Sequence, residues 1–87
     1  MTPQNQISEE LRRFIVENFL FGRDNPFSNE DSLIEQGLID STGILELIAF
    51  LEGKYNIRVQ EAETIPDNLD SIQRLSRFVY RKLQLSA

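Results

Sequence analysis

Three segments of the chain carry apolar residues at the spacing of an α-helix, and this periodicity constrains the fold more than any other feature. In the second segment, residues 41–54, the apolar positions fall on one face when residues are placed at steps of about 100° along the helix. The three sets are Ile7, Leu11, Phe14, Ile15 and Phe19; Ile44, Leu47, Ile48, Leu51 and Tyr55; and Ile72, Leu75, Phe78, Val79 and Leu83. A chain of 87 residues suits one small domain. We therefore predict an all-α, small four-helix bundle over residues 1–87, with three longer helices and one short helix.

Local signals set the predicted ends of these helices. The first helix would have Ser8 as its N-cap, Glu9 and Glu10 in its first turn, and its end near Gly22. The second would run from about Ser41 to Lys54 and the last from about Ser71 to Leu83, with Arg74, Arg77, Arg81 and Lys82 on its outer face. After Asn56 we expect a short extended stretch and one helical turn at most, broken by Pro66.

A long connection separates the first two helices. Pro26 favours extended geometry at Asn25, and Gly37 suits a turn that needs a positive φ. Four apolar residues, Leu33, Ile34, Leu38 and Ile39, are expected to hold this loop on the core. Long loops in small domains are uncommon and are often functional.

The composition excludes most catalytic chemistry. The chain has no cysteine and no histidine, so it offers neither a thiolate nor the usual base for a serine nucleophile. No glycine-rich phosphate loop and no spaced metal ligands occur, and neighbouring acids such as Glu9 and Glu10 are typical of a solvated helix surface. We expect a protein that is not an enzyme and binds no metal. The polar amino terminus and short apolar runs predict a soluble, cytoplasmic protein without membrane insertion.

Charge is distributed unevenly along the chain. Residues 24–53 hold seven acids and no base, whereas the remainder holds seven acids and all nine bases. An acidic middle on a chain of net charge −5 repels nucleic acid and anionic membranes and would steer a basic protein partner. The alternative interpretation is a solvated surface that serves solubility.

The dipeptide Asp-Ser occurs three times, at residues 31–32, 40–41 and 70–71. Ser32 is followed three residues later by Glu35 and Asp70 by Gln73, which is capping-box spacing. The middle copy has Gly43 and Ile44 at those positions instead, so we predict a weaker cap, open space at Gly43 and an accessible Ser41 hydroxyl at the positive end of a helix. Helix capping remains the competing interpretation of this pair.

The run "DSLIEQGLIDSTGILELIAFLEGKYNIRV", residues 31–59, resembles the core of acyl carrier proteins and the related peptidyl carriers, which bind phosphopantetheine. An acidic loop containing leucine leads through glycine into Asp40-Ser41, and a helix containing Glu46-Leu47 and an aromatic end follows. The "NLDSI" entry to the last helix and interior Thr42-Gly43 look more like freestanding carriers served by a dedicated ligase in a specialised pathway.

The resemblance implies that 4′-phosphopantetheine is attached to Ser41, transferred from coenzyme A by a phosphopantetheinyl transferase. The arm's thiol would carry an acyl or aminoacyl group as a thioester, received from an adenylating ligase and passed to acyl-transferring or condensing enzymes. It also implies a monomer whose second helix meets these partners. Asp40, Glu46 and Glu52 would contact basic residues of a partner, while Thr42, Leu45 and Ala49 would flank the arm.

Two departures separate this chain from carriers of fatty acid synthesis. Thr42 replaces the usual leucine after the serine, and Gly53 and Lys54 stand where acids are common. The hypothesis from a different class is a helical interaction module with the same acidic docking face that is never modified.

Overall fold

The computed structural model describes residues 3–20 and 27–86, and these form helices and loops with no strand. The elements in chain order are α1 (Gln4–Phe19), α2 (Ser41–Tyr55), a 3₁₀ turn (Glu61–Glu63), α3 (Pro66–Leu69) and α4 (Ile72–Ser86). The prediction of an all-α bundle with three longer helices and one short helix is confirmed. The second helix ends one residue beyond its predicted end, and the last continues three residues beyond Leu83.

One apolar cluster joins all four helices and the long loop. α4 packs against α1, α3 and α2, and Leu47 and Leu51 of α2 are fully buried. The same is true of Ile7, Leu11, Ile15, Ile72, Leu75 and Val79. Most of the predicted stripes therefore face the core, and the partly buried Phe14, Phe19, Ile44, Ile48 and Leu83 pack at its edge.

The predicted start of α1 was wrong. The helix begins at Gln4, and the Pro3 carbonyl accepts hydrogen bonds from the amides of Gln6 and Ile7 at 3.1 and 3.2 Å. Ser8 is not a cap, because its hydroxyl lies inside the helix and donates to the Gln4 carbonyl at 3.2 Å. Glu9 and Glu10 consequently lie beyond the first turn. The extra turn brings Ile7 onto the core, which explains the earlier start.

The helix also ends sooner than predicted, at Phe19, where the Leu20 amide bonds the Ile15 carbonyl. Gly22, Asn25 and Pro26 lie outside the described residues. Pro66 was predicted to break a helical turn, but it begins α3 instead. The first turn of a helix needs no proline N–H and favours its fixed φ.

Three of the four apolar loop residues hold the long connection on the core. Leu33, Leu38 and Ile39 are buried, and the Leu33 carbonyl accepts hydrogen bonds from the amides of Leu38 and Ile39. The prediction for Ile34 was wrong, since half of its side chain is exposed. It follows Leu33 in a tight turn and cannot share its direction. Gly37 has a φ of 73°, as its predicted role in a turn requires.

Candidate functional site

The first and last Asp-Ser pairs are joined in a single hydrogen-bonded arrangement. Ser32 accepts from the Glu35 amide at 3.1 Å, which confirms its capping role, and donates to the Asp70 carboxylate at 2.5 Å. Asp70 does not cap α4, contrary to the prediction, because its carboxylate also accepts from the Ile34 amide. The cap is Ser71, whose hydroxyl accepts from the Arg74 amide at 3.0 Å. Both serine hydroxyls are thus occupied by structural hydrogen bonds.

In the middle Asp-Ser pair, the two residues have different roles. Asp40 is the N-cap of α2, and its carboxylate accepts from the Gly43 amide at 2.7 Å, so this copy caps its helix without the second residue of a capping box. Ser41 is the first residue of α2, is exposed, and makes no side-chain hydrogen bond to any residue within 3–20 or 27–86. Because Asp40 supplies the cap, the Ser41 hydroxyl is left available to an incoming molecule.

Gly43 does not provide open space, which corrects a second prediction about this turn. A Cβ placed on Gly43 would lie 2.9 Å from Phe19 Cε1 and 3.0 Å from Ile39 Cγ2, so the end of α1 and the long loop both close against the first turn of α2. A glycine in a first helical turn lowers helix propensity, and a close approach is a physical reason to keep it. This packing fixes where α2 begins and therefore where Ser41 stands.

An open cleft adjoins the hydroxyl. It is formed by the end of α1 and the last loop residues, with Phe19, Ile34, Gly37, Leu38, Ile39, Asp40 and Ser41 along its wall. A second, more apolar hollow of about 90 Å³ lies beside Ile34 and Ile44, between α2 and α3. Ile34 borders both spaces, so its exposed side chain forms part of the wall of the site. Sequence reasoning missed it because a loop isoleucine is more often expected in the core.

The outer face of α2 presents most of the residues expected to contact partners. Thr42, Glu46 and Ala49 are exposed, and 68% of the Leu45 side chain is accessible. Glu52 differs, because it is half-buried and accepts from the Val59 amide at 2.9 Å. Its carboxylate thereby helps to hold the segment that follows α2. Asp40 and Glu46 are exposed, although the Asp40 carboxylate also accepts from the Gly43 amide.

The carboxyl-terminal half of α2 contacts α1 through side-chain contacts that the apolar periodicity of the sequence did not identify. The Tyr55 hydroxyl donates to Glu10 at 2.7 Å, and this hydrogen bond is the main reason that the pKa of Glu10 lies below its usual value. Burial, reinforced by the Glu10 carboxylate, raises the pKa of Tyr55. Phe50 stacks on Phe14 with ring centroids 4.0 Å apart. These contacts hold the carboxyl-terminal half of α2 in place, while Ser41 and Thr42 at its amino-terminal end are exposed.

The exposed Ser41 hydroxyl could accept an anionic group transferred from another molecule. The amides of Ser41 and Thr42 are at the first two positions of α2 and cannot bond within the helix, so they and the helix dipole favour an anionic group there. In the described part of the chain, no cluster of three acids could hold a metal ion. None of the helices traced in residues 3–20 and 27–86 is long and apolar enough to cross a membrane.

The fold and the site together define a small helical bundle that presents one available serine at a helix amino terminus. No model of a known protein family matches the sequence. A comparison with curated proteins finds 38% identity over 56 residues to the D-alanyl carrier protein of Leuconostoc mesenteroides, which covers 62% of this chain and 72% of the relative. The chain therefore belongs to the carrier protein family, as its resemblance indicated.

Proposed function

We propose that this protein is an acyl carrier protein that holds acyl or aminoacyl groups as thioesters on a 4′-phosphopantetheine arm attached to Ser41. The proposal rests on the start of α2, where Asp40 caps the helix and leaves the Ser41 hydroxyl exposed. The arm supplies the thiol that a chain without cysteine lacks.

The attachment step requires an external enzyme. The Ser41 oxygen would form a bond to the β-phosphorus of coenzyme A, the pyrophosphate bond would break, and adenosine 3′,5′-bisphosphate would leave. A base of the phosphopantetheinyl transferase would accept the hydroxyl proton, because the chain has no histidine. The free amides of Ser41 and Thr42 lie where they favour the new phosphodiester.

The cargo remains acyl or aminoacyl, and the relative favours a small aminoacyl group, because it is a D-alanyl carrier protein. The apolar hollow beside Ile44 is open to solvent, so its volume of about 90 Å³ sets no limit on the length of the cargo.

Partner recognition would use the outer face of α2. Asp40 and Glu46 would steer basic residues of the transferase, of an adenylating ligase and of acyl-transferring or condensing enzymes, while Thr42, Leu45 and Ala49 would supply neutral contact. Glu52 would contribute charge while keeping its hydrogen bond to Val59. We further propose that residues 1–87 form a single carrier domain that acts as a cytoplasmic monomer and has no catalytic activity of its own.

Intact mass spectrometry tests the proposal directly. The purified protein is incubated with coenzyme A and a phosphopantetheinyl transferase of broad specificity, and one phosphopantetheine should be added. Ser41→Ala should gain nothing, whereas Ser32→Ala and Ser71→Ala, which alter the other Asp-Ser pairs, should still be modified if their circular dichroism shows that they fold. Absence of any gain by the wild type would instead support the unmodified interaction module.

A further inference from the structure

Three arginines line a groove on the side of α4 that the carrier function does not use. Arg74, Arg77 and Arg81 are exposed, and they face Asp67 and Asn68 of α3 across a groove of about 380 Å³. The buried Phe78 forms part of its wall. The short helix α3 separates this groove from the apolar hollow beside Ile44, because Pro66 borders that hollow and its carbonyl accepts from Arg74 on the groove side.

The three guanidinium groups are poorly satisfied within the protein. Arg74 donates to the Pro66 carbonyl at 3.3 Å and Arg81 to the Asn68 side chain at 3.5 Å, both long hydrogen bonds. None of the three forms an ion pair within residues 3–20 and 27–86, where the ion pairs are Lys54–Glu10 and Lys82–Glu63. Each guanidinium carries five N–H donors, so most donors in the groove face solvent. Asp67 lines the same groove and Glu63 lies close enough to Arg81 to interact electrostatically, but within residues 3–20 and 27–86 neither carboxylate forms an ion pair with the three arginines.

The spacing of the arginines along α4 suits a helical partner. Intervals of three and four residues place one guanidinium on each successive turn along a single face of α4. A second helix lying along this face with acids at the same period would oppose each arginine with a carboxylate, as charged residues flanking a helix–helix seam do. Arginine also binds planar carboxylates in a bidentate manner, which adds direction to the charge.

A membrane surface fits the groove less well. Stable attachment to a membrane needs two binding features, such as a lipid anchor and a basic cluster. This face of the protein offers only three arginines and one strongly exposed apolar residue of α4, Leu85. The remaining charge of the chain is negative and would oppose an anionic bilayer. The guanidinium groups also line a concave surface between two helices, which admits side chains more readily than a flat layer of headgroups.

We propose that the groove between α3 and α4 docks an acidic helix of a partner protein through Arg74, Arg77 and Arg81. This surface is opposite in charge to the outer face of α2, so the two faces recognise different partners. The inference does not depend on modification of Ser41. A carrier could in this way be held by one protein through α4 while enzymes approach Ser41 through α2.

Titration with a designed peptide tests the proposal. The probe is a synthetic helical peptide with three glutamates spaced three and four residues apart, and its control has glutamine at the same positions. Binding to the full chain is followed by the NMR shifts of the arginine side-chain Nε–H groups and the α4 amides. The triple variant Arg74→Gln/Arg77→Gln/Arg81→Gln is compared with Arg13→Gln/Arg58→Gln, which removes two exposed arginines from other elements.

The glutamate peptide should shift the signals of Arg74, Arg77 and Arg81, and added salt should weaken its binding. The triple variant should bind about tenfold more weakly, whereas the control variant should bind as the wild type does. Equal shifts with the glutamine peptide, or equal loss in both variants, would overturn the proposal. Cosedimentation with phosphatidylglycerol vesicles that is lost only in the triple variant would also overturn it, by assigning the groove to a membrane. Far-UV circular dichroism and urea unfolding of the triple variant report whether its fold is intact.

Discussion

Replacing Gly43 with alanine should destabilise the protein, although alanine is the better helix former. The added Cβ would lie 2.9 Å from Phe19 Cε1, which is shorter than packed Cβ atoms tolerate, and 3.0 Å from Ile39 Cγ2, which is tighter than most such contacts. Gly53 provides a matched control on the same helix, because its Cβ would meet nothing within 4 Å. The two substitutions change the same atoms in opposite surroundings.

The expected magnitudes follow from two terms. Helix propensity favours alanine by up to about 1 kcal/mol at either position, and this is the whole effect expected for Gly53→Ala. Gly43→Ala adds the cost of overpacking, about 1–3 kcal/mol, which exceeds or cancels the gain. The propensity terms cancel in the comparison, so Gly43→Ala should be less stable than Gly53→Ala by about 1–3 kcal/mol.

Urea unfolding followed by circular dichroism measures both free energies. Truncating the opposing ring should relieve the contact, so Gly43→Ala should be less costly in a Phe19→Leu background, as a double-mutant cycle would show. If Gly43→Ala were as stable as Gly53→Ala, α1 and the loop would not close on the first turn of α2. The packing argument for the position of Ser41 would then be refuted.

Three further predictions concern capping, charge and pH. Asp40→Ala should cost about 0.5–2 kcal/mol of unfolding free energy through loss of the bond to Gly43, whereas Ser41→Ala should stay within about 0.5 kcal/mol of the wild type; a larger loss at Ser41 would make it a structural residue. Glu46→Lys should slow loading by the cognate ligase while Glu9→Lys, an exposed charge reversal on α1, should not, and loading that is insensitive to salt would exclude electrostatic steering. The Gln60 amide and Lys82 hold the pKa of Glu63 below its ordinary value of 4.5, so its contribution is present above that pH and is lost as pH falls through the lower native value. The difference in unfolding free energy between wild type and Glu63→Gln should therefore shrink in acid, and a difference that does not change with pH would contradict this.

Helical periodicity identified the bundle because burial on one face repeats along each helix. It predicted α2 to within one residue and placed Leu47, Leu51, Leu75 and Val79 correctly in the core. It failed at the ends of elements, where tertiary contacts decide. Ser8 has the chemistry of a cap, but burial of Ile7 extends the helix past it.

The candidate site was predicted at Ser41 for reasons that were only partly right. The comparison of the Asp-Ser pairs correctly singled out Ser41 as exposed, but the open space expected at Gly43 is a tight contact, and the cap is Asp40 alone, bonded to the Gly43 amide. The sequence could not show that Asp70 would reach across 38 residues to Ser32, because such a contact depends on the packed fold. The arginine groove was visible only as the charged face of a helix.

Localisation of the added group tests the central claim most directly. The protein modified with coenzyme A is digested, and fragmentation mass spectrometry identifies the residue that bears phosphopantetheine. The account predicts the added mass on Ser41 alone, with Ser32, Ser71 and the adjacent Thr42 unmodified. Phosphopantetheine on another hydroxyl, or on none, would contradict the assignment of Ser41 as the carrier residue.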